Sequence, residues 1–164
     1  MAKSETLREM LIVKLQALYD IETELTEALP RMAAAAMEPG LKEAFKSHCD
    51  ETRGQMQRLD SAFSILGEKR QKTKVEGVRG MVKDAEWLAK NTTEGVPLDT
   101  ALIGAARAVE AYETSLYSSA QEWAEKLENQ QLATLLKESA AEEANAGMKL
   151  GNLSAQIISR IKVN

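Results

Sequence analysis

The sequence is poor in the residues that cross-link, interrupt or stiffen a chain. One cysteine, Cys49, stands among 164 residues, so no intrachain disulfide can form and a reducing compartment is expected. Three prolines, Pro30, Pro39 and Pro97, leave long stretches where a helix can run uninterrupted. Aromatic residues are 4% of the chain, and histidine occurs once, at His48. No apolar run approaches the ~18 residues of a membrane span, and the start, MAKSETLREM, has no apolar signal core. Gly-rich phosphate loops and Cys-x-x-Cys pairs are absent. The net charge is −4, with Lys and Arg scattered among Asp and Glu, which argues against the clustered basic face of a nucleic-acid binder. These absences lead us to expect a soluble cytoplasmic protein that takes no membrane or nucleic acid as partner.

What is abundant is Ala, Leu, Glu and Lys, all strong helix formers, and the composition predicts an all-α chain. Leu7, Leu11, Leu15, Leu18, Leu25 and Leu29 recur at helical spacing in a first helix that Ser4 can cap and Pro30 bends or ends. Glu38-Pro39-Gly40 is the first clear break. A second helix is expected over 41–66 and stops at Gly67. A shorter one is expected over 75–90, where Val78, Val82 and Ala85 form an apolar stripe with Met81 and Trp87 beside it. A further helix starts near Pro97 and runs to about Leu127, and the last runs over 130–161 after a turn at Glu128-Asn129. Two hairpins with short turns, joined by a link long enough to cross the bundle, describe the ferritin-like class of four-helix bundles. One domain over residues 1–164 is expected, with the short helix packed on the bundle and helping to build a dimer. Met32, Met37, Met56, Met81 and Met148 read as packing residues, Trp87 and Trp123 as partly buried, and Cys49 as a small apolar filler.

The stripes carry the wrong residues near their middles. Glu22 falls in register with the leucines of the first helix, and His48 and Glu51 lie three apart in the second. Glu110 and Glu113 share a stripe with Ile103, Ala106 and Tyr117, and Glu143 lies in line with Leu136 and Leu150. An isolated buried carboxylate is costly, and several together repel. A multivalent cation removes both costs. Facing residues of an antiparallel hairpin are equidistant from its turn. Positions 22 and 51 are centred just before Pro39, and 110 and 143 near Glu128, so both pairs fall at similar depth. Carboxylates with one imidazole suit iron or manganese. The metal ligands predicted are therefore Glu22, His48, Glu51, Glu110, Glu113 and Glu143. Gln55, Asp50 and Glu142 read as solvated or supporting groups. The alternative is a metal-free helical protein whose inward carboxylates are held by Tyr, Gln and Arg.

Four segments, LQALYDIETELTEALPRMA, HCDETRGQMQRL, LDTALIGAARAVEAYETSLY and LLKESAAEEANAGMKL, cover nearly the whole chain in order. In these the chain resembles the YciE/YciF family of ferritin-like bacterial stress proteins. The resemblance implies a four-helix bundle with a dinuclear metal site, a homodimer, and a link to the stress response. It also points to oxidase, peroxide-scavenging or metal-handling chemistry as the readings to test, and carried over by motif it selects the same six residues. The chain departs from the family's pattern at Arg53, Ala111 and Gly147, where polar groups are frequent, and this puts metal binding in question.

Overall fold

The computed structural model describes residues 6–161. Five helices make up most of them: α1 (Leu7–Ala35), α2 (Pro39–Leu66), α3 (Glu76–Asn91), α4 (Val96–Lys126) and α5 (Gln130–Ile158), with no strand among the described residues. α1 opens on a capping box: Thr6 Oγ1 accepts from the Glu9 amide, and the Glu9 carboxylate accepts from the Thr6 amide. Thr6 thus takes the capping role expected of Ser4, which lies outside the described residues. α1 neither ends at Pro30 nor restarts after it. Pro30 is exposed, and the helix runs on to Ala35 because Leu29 and Ala33 on its inner face are buried. α2 carries Pro39 in its first turn, where a missing N–H costs nothing, and closes on Gly67 in the left-handed conformation (φ 68°). α5 ends at Ile158, three residues short of expectation.

α1 packs on α2 and α4, and α5 packs on α4 and α2. Contacts at the ends fix the directions. Arg8 Nη2 donates to Leu66 O at 2.8 Å, so the start of α1 meets the end of α2. The Asp99 carboxylate accepts from the amides of Met37 at 2.7 Å and Glu38 at 2.9 Å, tying the start of α4 to the first hairpin turn. Arg160 pairs with Glu38 at 2.6 Å, placing the end of α5 there too. α3 lies on α4 and α1, with Val78, Val82 and Ala85 inward as the stripe predicted. Arg79 anchors it through Asp20 at 2.7 Å and Glu24 at 3.1 Å. Trp87, expected to be partly buried, is 62% exposed, because it falls off that stripe. Met37 and Met148 are likewise exposed, whereas Cys49 is buried as expected.

The apolar interior is in two parts. One joins Leu11, Leu15 and Leu18 to Leu59 and Phe63, Ala120, and Leu132 and Leu136. The other joins Leu25 and Leu29 to Leu41 and Phe45, Ile103, Leu150 and the inner face of α3. Each such side chain contributes about 1.5–3 kcal/mol by leaving water. Between the two parts runs a layer of buried polar groups.

Candidate metal centre

The layer contains Glu22 from α1, His48, Thr52 and Gln55 from α2, Glu110 and Glu113 from α4, and Ser139 and Glu143 from α5, all buried. Residues three or four apart on a helix share a face, so the stripes that supply leucines above and below supply these groups at mid-height. His48, Glu110, Glu113 and Glu143 each offer a ligand atom, and these atoms lie within 4.8 Å of one another.

The two imidazole nitrogens have different surroundings. Nδ1 lies 3.3 Å from Glu51 Oε2. Nε2 lies 3.2 Å from Glu110 Oε2 and 3.5 Å from Glu143 Oε2, yet its direction gives neither a regular hydrogen bond. Gln55 Nε2 donates to Glu143 Oε1, and the Tyr117 hydroxyl donates to Glu22 Oε1. Each bond leaves the second carboxylate oxygen without a partner, and Glu113 has none on either oxygen. Nearby, Arg58 pairs with Glu142 and donates from Nε to Ser139 at 3.0 Å.

The electrostatics follow from the crowding. Burial raises Glu22 to about 8, against the pull of the Tyr117 hydrogen bond and the His48 charge. Burial and the close Glu110 carboxyl raise Glu143 to about 10. Glu113 is held well above the usual carboxylate range by burial and by the charges of Glu22, Glu143 and Glu110. Burial alone would lower His48, but Glu110 and Glu51 outweigh it and raise the imidazole to about 11. Without a cation the layer therefore stores protons. Glu51 is the exception: its bond to His48 lowers it.

Four of the six predicted ligands thus converge. Glu22 stands beside them, its Oε2 buried and unpartnered. Glu51 does not join the group: its side chain is 28% exposed, and it meets His48 Nδ1 and, at 3.5 Å, Lys149. The hairpin turns about Met37, and equal steps from there bring Thr52 rather than Glu51 opposite Glu22. The sequence reading passed over Thr52 and set Gln55 aside as solvated or supporting, although both sit fully buried in the His48 stripe. Spacing from His48 alone would have found them. Of the three departures from the family pattern, Arg53 and Ala111 are exposed and point away from the layer. Gly147 lies against it: a Cβ there would sit 3.5 Å from Glu110 Cβ.

Four of the five helices enclose a buried layer of carboxylates and one imidazole, and this defines an all-helical protein with a His/Glu cluster that could hold a metal ion. A family model described as Domain of unknown function (DUF892) matches residues 6–161, and the chain belongs to that family, the one typified by YciE and YciF. The chain is 32% identical to Protein YciF of Escherichia coli (strain K12) over 157 residues, 95% of each chain. It is similar to the crystal structure of the E. coli stress protein YciF, with a TM-score of 0.93 at 31% identity over 96% of this chain and 100% of that one. YcfI of Rhodopseudomonas palustris gives 0.87 at 33% identity, covering 90% and 94%. A protein of Xanthomonas campestris pv. campestris, at 22% identity and a TM-score of 0.76 over 94% and 95%, shares the fold.

Proposed function

We propose that the chain is a single ferritin-like four-helix-bundle domain with a dinuclear iron or manganese centre in its polar layer, serving the stress response. The observation that carries this reading is the set of buried, unpartnered ligand atoms. Glu22 Oε2, His48 Nε2, Glu110 Oε2, Glu143 Oε2 and both oxygens of Glu113 have no hydrogen-bond partner. A protein does not retain so many orphaned buried acceptors without a compensating ligand. Four carboxylates, Glu22, Glu110, Glu113 and Glu143, would balance the charge of two divalent ions, and Glu113 would offer both of its free oxygens as donors. Oxygen donors with one imidazole suit iron or manganese.

In this reading the chain's own residues have distinct tasks. His48, Glu110, Glu113, Glu143 and Glu22 hold the ions. Glu51 accepts from Nδ1 and so fixes the tautomer that turns the Nε2 lone pair inward. Gln55 and Tyr117 hold one oxygen each of Glu143 and Glu22 and thereby aim the other. When bound, the metal supplies one-electron chemistry of the kind used in oxidase, peroxide-scavenging or metal-handling proteins. The two apolar parts cover the layer above and below, and its open side is the edge where Glu51 and Lys149 stand. Similarity to the E. coli stress protein YciF supports the link to stress. We further propose a cytoplasmic homodimer, supported by the lone buried cysteine and by Trp87 standing out from α3.

An anomalous-scattering map of a crystal grown with manganese tests the reading. Two peaks among Glu22, His48, Glu110, Glu113 and Glu143 are expected. No peak in a fully loaded crystal would leave the metal-free alternative, in which Gln55, Tyr117 and shared protons hold the carboxyls.

A further inference from the structure

A cavity of about 440 Å³ lies between α2 and α5 and reaches the edge of the polar layer. It is far larger than dioxygen, peroxide or water needs, since one water occupies about 30 Å³. Its volume falls in the range of pockets that enclose organic ligands. Its walls are mainly apolar, from Ala44, Phe45, Ala146, Leu150 and Leu153, with Ser47 and Asn152 among them. One end is polar, where Glu51 and Lys149 stand over His48 and Glu110. We propose that this cavity binds a small monocarboxylate amphiphile, such as a medium-chain fatty acid, with its tail along Phe45, Leu150 and Leu153 and its head beside Lys149.

The head is assigned by charge. Lys149 is half exposed, and its one ion-pair partner among the described residues is Glu51, at 3.5 Å. An ammonium carries three donors, so two remain for a carboxylate. The Glu51 charge is shared between His48 and Lys149. Glu43 also borders the cavity, but it precedes Glu51 by eight residues on α2, about 12 Å along the axis at the helical rise. Glu43 is exposed, so its charge lies at the solvent rim of the cavity, away from the head. An apolar body with an anion at one end matches the lining better than a neutral chain does. The proposal goes beyond the metal reading and does not require it, because the cavity and Lys149 belong to the chain itself.

The test is isothermal titration of decanoate and of decan-1-ol, below the concentration at which decanoate forms micelles, into metal-free and manganese-loaded protein. Saturable binding of one decanoate per chain is expected, with decan-1-ol weaker by about tenfold, the size of one charge-assisted hydrogen bond. Lys149→Gln should weaken decanoate about tenfold and leave decan-1-ol unchanged. Ala44→Phe should fill the cavity and abolish both, with the thermal melt and metal content unchanged. Absence of saturable heat, binding that survives Ala44→Phe, or equal affinity for acid and alcohol would overturn the proposal. A dimer that Ala44→Phe dissociates would overturn it too, by showing that a second subunit covers the cavity. Decanoate binding by a chain that takes up no metal would support this proposal while the metal reading fell.

Discussion

The apolar block around Leu15 and the polar layer around Glu113 are equally buried, yet physically they are opposites. In the first, Leu11, Leu15, Leu18, Leu59 and Leu132 have no exposed surface or almost none, and every atom gains by leaving water. In the second, Glu22, Glu113 and Glu143 are just as hidden, and each is there at a cost. The same four helices build both with the same spacing. Stability is therefore concentrated at the two ends of the interior, and the middle is held in a state it would not choose alone. The metal proposed above would offset that cost.

The comparison can be broken most sharply at Leu15. Leu15→Ala should cost about 2–5 kcal/mol in urea unfolding, to the same extent with and without metal. Loss of metal uptake by a still-folded Leu15→Ala would show that the two regions are not separate. Glu113→Leu should act in reverse. It removes a carboxylate with no partner on either oxygen, so the metal-free chain should gain about 1–3 kcal/mol while metal uptake is lost. A destabilised metal-free variant would mean that the layer is a satisfied network.

The pH dependence comes next in size. Unfolded carboxyls ionise near pH 4.5, while native Glu22 and Glu143 do so near 8 and 10. Over that window the native chain holds more protons than the unfolded one, so its stability falls as pH rises. His48, raised from 6.5 to about 11, adds the same sign above pH 6.5. Urea midpoints of the metal-free chain should thus fall from pH 5 to pH 8, by up to about 1.4 kcal/mol per pH unit for each group. Metal affinity should rise over the same range, because ligands bind deprotonated. A metal-free chain that gains stability toward pH 8 would contradict the burial argument. The smallest effect is expected at Trp87, which lies outside both regions. Trp87→Ala should change chain stability by less than about 0.5 kcal/mol and leave metal content unchanged. It should also loosen the proposed dimer in sedimentation, and a dimer that the change leaves unaltered would remove α3 from the proposed subunit contact.

Much of this was legible in the sequence, because the two regions share one code. A glutamate in place of a leucine on a 3.6-residue stripe marked Glu22, Glu110, Glu113 and Glu143, and the only histidine marked the second helix. Glu51 stands at the edge of the group because the chain turns about Met37, roughly half a residue beyond the centre that pairs positions 22 and 51. One residue of slip exchanges Thr52 for Glu51. The bonds that aim the carboxylates, from Gln55 and Tyr117, were not legible, since they join residues 88 and 95 positions apart. Asp99 was missed for the same reason: its partners are the backbone amides of a distant turn. Trp87 was expected to be partly buried because it stands beside the stripe, but its place off the stripe leaves it exposed.

The most direct test of the central claim is the metal content of purified chain, loaded with iron or manganese and freed of loosely held ions, measured alongside Glu113→Leu. The account predicts about two equivalents per chain for the parent and none for the variant. Less than half an equivalent in the parent, or equal contents in the two, would contradict it.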